Sequence, residues 1–165
     1  MTVVRVEKDL EALSLTIVAD FDAPIERVWQ LWADPRQLER WWGPPSHPST
    51  FERHDLVAGG EATYFMTGPD GSRSCGWWRV ERVDPPRSLV FTDGFAREDG
   101  SPDHDMPTTA VRVRLDEHQA GTRMELRFGF ESADHMEQLE RWGAFEVFPQ
   151  SVAQMDAVLA GDTPG

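Results

Sequence analysis

The chain has 165 residues, with 16 lysines and arginines against 29 aspartates and glutamates, a net charge of −13. That length suits one domain, able to bury about 70% of its unfolded surface. The negative field repels phosphate backbones and anionic membranes, and no run of basic residues offers a local exception, so nucleic acid and membrane are disfavoured as partners.

No apolar run approaches the roughly 20 residues of a membrane span. Met1 to Leu15 mixes Arg5, Glu7, Lys8, Asp9 and Glu11 into its apolar residues, unlike a secretory leader. A single cysteine, Cys75, rules out an internal disulfide framework and fits the cytoplasm.

Leu13 to Phe21 alternates Leu13, Leu15, Ile17 and Ala19 against Ser14, Thr16, Val18 and Asp20 and predicts a first strand. Asp22 offers a cap and Pro24 suits a first helical turn. A helix over about Pro24 to Ala33 would bury Ile25, Val28, Trp29 and Trp32. A second short helix runs from Pro35 to about Trp42, turning Leu38, Trp41 and Trp42 inward, and Gly43-Pro44-Pro45 ends it.

Strands follow over Thr50 to Val57, Glu61 to Thr67, Ser74 to Val83 and Ser88 to Thr92. A polar loop spans about Arg97 to Met106. Ala110 to Leu115 and Thr122 to Phe130 form the clearest pair: Val111, Val113, Leu115, Met124, Leu126, Phe128 and Phe130 share one face, with arginines and Glu125 opposite.

The chain closes with a helix from roughly Ala133 to Leu159. Its stripe is Met136, Leu139, Trp142, Phe145, Val152, Met155 and Leu159, with Phe148 beside it and a kink expected at Pro149. The resulting expectation is an α+β domain over residues 1–165, its core about 13–160. A curved antiparallel sheet wraps around the long C-terminal helix, with two short helices between the first and second strands.

Several ordered stretches carry a resemblance. Ala23-Pro24 with Val28-Trp29, Asp34-Pro35, and Arg40-Trp41-Trp42-Gly43-Pro44 come first. Gly59-Gly60, Gly68-Pro69-Asp70-Gly71, Val83-Asp84-Pro85-Pro86 and Gly121-Thr122-Arg123-Met124 follow in order. Together they resemble the SRPBCC superfamily, and within it the branch named after the activator of the ninety-kilodalton heat-shock protein ATPase. The resemblance covers about Leu13 to Leu159. It implies a helix-grip fold, as in the birch pollen allergen and START domains, with a hydrophobic cavity between sheet and helix. It does not choose among carriers, cyclases and co-chaperones.

The residues nominate a site. Trp41, Trp42, Tyr64, Met66, Trp78, Phe91, Met124, Phe128, Trp142 and Phe145 are candidates to line a cavity for a small hydrophobic or aromatic molecule. For Trp29 and Trp32, helical spacing favours core filling instead. Trp77 and Trp78 must face opposite sides of their strand, so only one can face inward. Tyr64 is the single tyrosine and, if buried, its hydroxyl needs a partner.

His54, Tyr64 and Glu146 are the nominees for catalysis, with a His–Glu pair across the cavity as base and orienting acid. Asp103-His104-Asp105 reads as a solvated loop, and no metal or cofactor is expected. Binding of a small apolar molecule is the leading reading. A cyclase, aromatase or hydrolase using the same cavity is the second, and a chaperone-associated interaction module the third. The sequence leaves turnover, a homodimer and a protein partner open.

Overall fold

The alternating segments need one wet face and one dry face, and a single sheet supplies both. The computed structural model describes residues 3–161. Its strands are β1 (Val3–Asp9), β2 (Ser14–Phe21), β3 (Ser49–His54), β4 (Glu61–Thr67), β5 (Arg73–Asp84), β6 (Ser88–Ala96), β7 (Thr109–His118) and β8 (Gly121–Phe130). They form one antiparallel sheet in the order β1-β2-β8-β7-β6-β5-β4-β3. Helices α1 (Ile25–Ala33) and α2 (Pro35–Leu38) follow β2, and α3 (Ala133–Arg141), α4 (Ala144–Ala153) and α5 (Met155–Leu159) follow β8. The architecture is α+β, a helix-grip fold.

The β7–β8 hairpin has the expected faces. Val111 pairs with Phe128, Val113 with Leu126 and Leu115 with Met124, and all six are buried. Arg112, Arg114, Glu125 and Arg127 point to solvent. Register cannot slip here without moving the whole apolar set into water.

The N-terminus corrects one expectation. Val3–Asp9 is a strand, so the two short helices lie between the second and third strands. This edge strand is wet along nearly its whole length, including Val4 and Val6. Its alternation is confined to Val4 and Val6 against Arg5 and Glu7 among charged residues, too short to mark a strand that has no buried face. The second helix is also shorter than expected. It ends at Leu38, and turns carry Trp41 and Trp42 to their buried positions.

The closing segment is three helices rather than one kinked rod. The main break falls at Gly143, whose φ of 81° is left-handed. Its N–H donates back to the Glu140 carbonyl at 3.0 Å, while its own carbonyl accepts from Glu146 and Val147, each at 3.1 Å. One residue therefore ends α3 and starts α4. Pro149 lies inside α4, which continues through it to Ala153 although its nitrogen has no hydrogen to donate to the Phe145 carbonyl. A second break follows at Gln154, whose side-chain amide donates to the Gly43 carbonyl at 2.7 Å and ties the α4–α5 junction to the turn after Trp42.

Space around Gly143 is open, so any penalty for a side chain there is conformational. Gly143→Ala is expected to cost about 1–2 kcal/mol, the left-handed penalty of an L-residue, measured as a lower midpoint with unchanged slope in urea unfolding.

Candidate functional site

The site is built outward from the last turn of α1. A helix leaves its final carbonyls without intrahelical donors, and here side chains from elsewhere reach them. The buried Trp41 indole N–H donates to the Leu31 carbonyl at 2.8 Å. His54 Nε2 lies 2.9 Å from the Trp32 carbonyl and donates to it in the tautomer protonated there. These bonds place Trp41 edge-on against Trp32, ring centroids 4.6 Å apart. Trp42 then packs against Trp78 at 5.0 Å and Tyr64 at 6.0 Å.

The nominated His–Glu pair does not form. Strict alternation puts His54 opposite to Phe51, but a bulge between Phe51 and Arg53 turns it to the same side. There it caps α1, with its pKa lowered by burial. Glu146 is exposed on α4. Neither residue lines the cavity.

That cavity, of about 300 Å³, lies between the inner face of β4–β8 and helices α3 and α4. Trp41, Trp42, Tyr64, Met66, Phe128 and Trp142 line it; the other nominees lie elsewhere. Trp78 and Phe91 stack on each other at 3.9 Å inside the core. Met124 is fully buried opposite Leu115, and Phe145 stacks on Phe130 at 5.5 Å. From the helix side Leu139, Val147, Phe148 and Val152 complete the wall. Trp142 is 55% exposed and Phe95 39%, and the two rings meet edge-on at 6.3 Å on the rim.

Of the paired tryptophans, Trp78 faces inward and Trp77 outward, where its indole N–H donates to the Phe95 carbonyl. Asp103 and Asp105 lie in a loop closed by Arg97, whose N–H donates to the Ser101 carbonyl and whose guanidinium stands 3.9 and 3.8 Å from the two carboxylates.

The polar end of the cavity is Tyr64 and Asp93. The Tyr64 hydroxyl donates to Asp93 Oδ1 at 2.7 Å. The two residues stand on β4 and β6, with β5 between them. Gly76 on β5 is the partner of Tyr64, and a Cβ there would run into the phenol ring. Its absence lets the phenol lean across the strand to reach Asp93. The Trp42 indole N–H acts on the Tyr64 hydroxyl and the Trp78 indole N–H on Asp93, although neither closes a hydrogen bond of ordinary length.

Burial pushes the Asp93 carboxyl up to about 7, against the opposing pull of the Tyr64 and Trp78 donors. Burial, then the charge of Asp93, holds the Tyr64 phenol well above its ordinary range. Asp93 lies deep in the fold, yet it keeps some accessible surface because it borders the cavity.

Asp93 was not among the nominated residues. Leu89, Phe91, Asp93 and Phe95 alternate along β6, and Trp78 is the cross-strand partner of Asp93. A strand expected to stop at Thr92 instead runs to Ala96. Continuing the alternation one step places a carboxylate on the inner face.

A grip of this shape around an apolar cavity defines the helix-grip class. Residues 22–160 match the family described as Activator of Hsp90 ATPase homolog 1-like protein, and the chain belongs to that family. A solution NMR structure of a protein from Arthrobacter aurescens is 48% identical with a TM-score of 0.93, covering 97% of this chain and 93% of that one. A crystal structure of a protein from Mycobacterium smegmatis is 46% identical with a TM-score of 0.87, covering 99% and 98%. At 21% identity, a protein from Staphylococcus epidermidis shares the fold, with a TM-score of 0.84 over 98% of this chain and 97% of that one. No curated protein matches the chain significantly.

The raised acid has a signature in stability. Between about 3.9, its unfolded value, and about 7, Asp93 holds a proton in the folded chain that the unfolded chain has released. Stability therefore falls as pH rises across that window, by up to about 1.4 kcal/mol per pH unit from this group, and levels off above it. Urea unfolding of the wild type and Asp93→Asn through this range should show their difference declining with that slope.

Proposed function

We propose that this chain is a one-domain cytosolic protein that binds a small, largely apolar molecule in the cavity between sheet and C-terminal helices. The carrying observation is the cavity itself. Its walls are mostly aromatic and aliphatic, with the hydrogen-bonded Tyr64–Asp93 pair and a few small polar residues, Ser74, Cys75, Thr109 and Ser151, among them, as in ligand pockets that use a few placed polar groups for orientation. Membership of the family supports a ligand-binding fold in general. Among the described residues no helix is long and apolar enough to cross a membrane.

A second reading is favoured by one observation. An acid at about 7, hydrogen-bonded to a phenol and bordering a cavity, suits proton transfer near neutral pH. It supports a cyclase-, aromatase- or hydrolase-like use of the same cavity, with Asp93 moving the proton and Tyr64 orienting it. The exposed apolar pair Phe95 and Trp142 sits on the cavity rim, which favours a ligand path over a protein-docking face.

Native mass spectrometry of the protein purified from its host cytosol tests the binding reading. One additional small mass per chain is expected, absent from Val147→Trp, whose indole fills the space. A bare mass in both proteins, with no saturable quenching of tryptophan fluorescence by naphthylethanol, would sink it. Turnover of the identified ligand, abolished in Asp93→Asn, separates the enzyme from the carrier.

A further inference from the structure

The cavity wall carries an acid and no base. Its titratable groups are Asp93 on β6, Tyr64 on β4 and Cys75 on β5, and α3 and α4 add none; among the described residues no lysine, arginine or histidine lines it. The donors around Asp93 act on it from the protein side: the Tyr64 hydroxyl at 2.7 Å, and the Trp78 indole from the neighbouring strand. On the facing helix, the Ser151 hydroxyl is committed to the Val147 carbonyl at 3.1 Å. Thr109, the cross-strand partner of Asp93 on β7, and Ser74 on β5 add neutral hydroxyls to the wall, so the one group there that can carry charge near neutral pH is a carboxylate without a counter-ion.

A buried charge of that kind is completed best by a cationic donor. A ligand carboxylate would meet it charge to charge, and a ligand carbonyl is served only by the protonated fraction of Asp93, which shrinks as pH rises through about 7. Trp42, Phe128 and Trp142 border the same space, and aromatic faces attract ammonium groups through their quadrupoles. The chain's charge of −13 also concentrates cations around the molecule.

Resting on the cavity-binding reading above, we propose that the ligand is an amine: an apolar, ring-bearing body with one protonated nitrogen, seated with that nitrogen against the Asp93 carboxylate. Only the ionised acid holds the ammonium, so apparent affinity follows the ionised fraction.

Calorimetric titration with naphthylethylamine, naphthylethanol and naphthylacetate, matched in shape and different in charge, tests this. The amine is expected to bind tightest. With Asp93 at about 7, its affinity should rise about 30-fold between pH 5.5 and pH 8, while that of the acetate falls. Asp93→Asn should erase both the amine's advantage over the alcohol and its pH dependence. Glu146→Gln, which removes an exposed acid of α4 outside the wall, should keep both. If the alcohol binds and the amine is no tighter, or its pH slope is flat or reversed, the amine inference fails and the cavity reading stands. If none of the three saturates the protein, both fail together. The wild-type pH profile decides the matter even if the Asp93 variant does not fold.

Discussion

The site depends on how α1 ends. A helix terminus exposes carbonyls that cannot stay unpaired in an apolar interior, and in this chain the donors that reach them are themselves aromatic. The Trp41 indole and the His54 imidazole satisfy the Leu31 and Trp32 carbonyls. Trp41 is thereby fixed in the core and His54 half-buried at its edge, and Trp42, next in the chain to Trp41, is carried to its place beside Tyr64 and Trp78. Capping and packing are one arrangement here, and His54 belongs to it and stands outside the cavity wall.

From that aromatic platform the cavity follows. Three short helices close over the sheet where one helix kinked at Pro149 was expected, because Gly143 takes a left-handed conformation that ends one helix and starts the next. The break lies at the cavity wall, between Trp142 on the rim and Ala144 in the lining. Gly76 does the complementary work in the sheet. By lacking a side chain it lets the Tyr64 phenol cross β5 and meet Asp93. Two glycines thus shape opposite walls, one through its backbone angle and one through its missing Cβ.

The Tyr64–Asp93 pair carries the functional weight. A carboxyl deep in an apolar fold is costly to ionise, and donors on one side recover only part of that cost. Asp93 is consequently poised near neutrality and exposed to the cavity. That combination gives the site a polarity of definite sign, which the apolar walls alone would lack.

Much of this was legible in the residues. Period-two alternation gave the β7–β8 hairpin its faces, and Tyr64 stood out as a lone phenol on an inward position. The ordered turn motifs carried the family and with it the fold. These features are local: a strand's parity and a turn's chemistry are written in neighbouring residues. The rest was decided between distant segments. β1 lacks a buried face: its short alternation of Val4 and Val6 with Arg5 and Glu7 marks no inner side, because both valines are exposed. His54 changed sides because of a bulge, and Asp93 found Tyr64 only because a glycine on the intervening strand left room. The sequence by itself determined which residues could be buried and on which face. The tertiary structure alone decided which buried polar groups would meet, because that depends on strand register, bulges and close approaches between residues far apart in the chain.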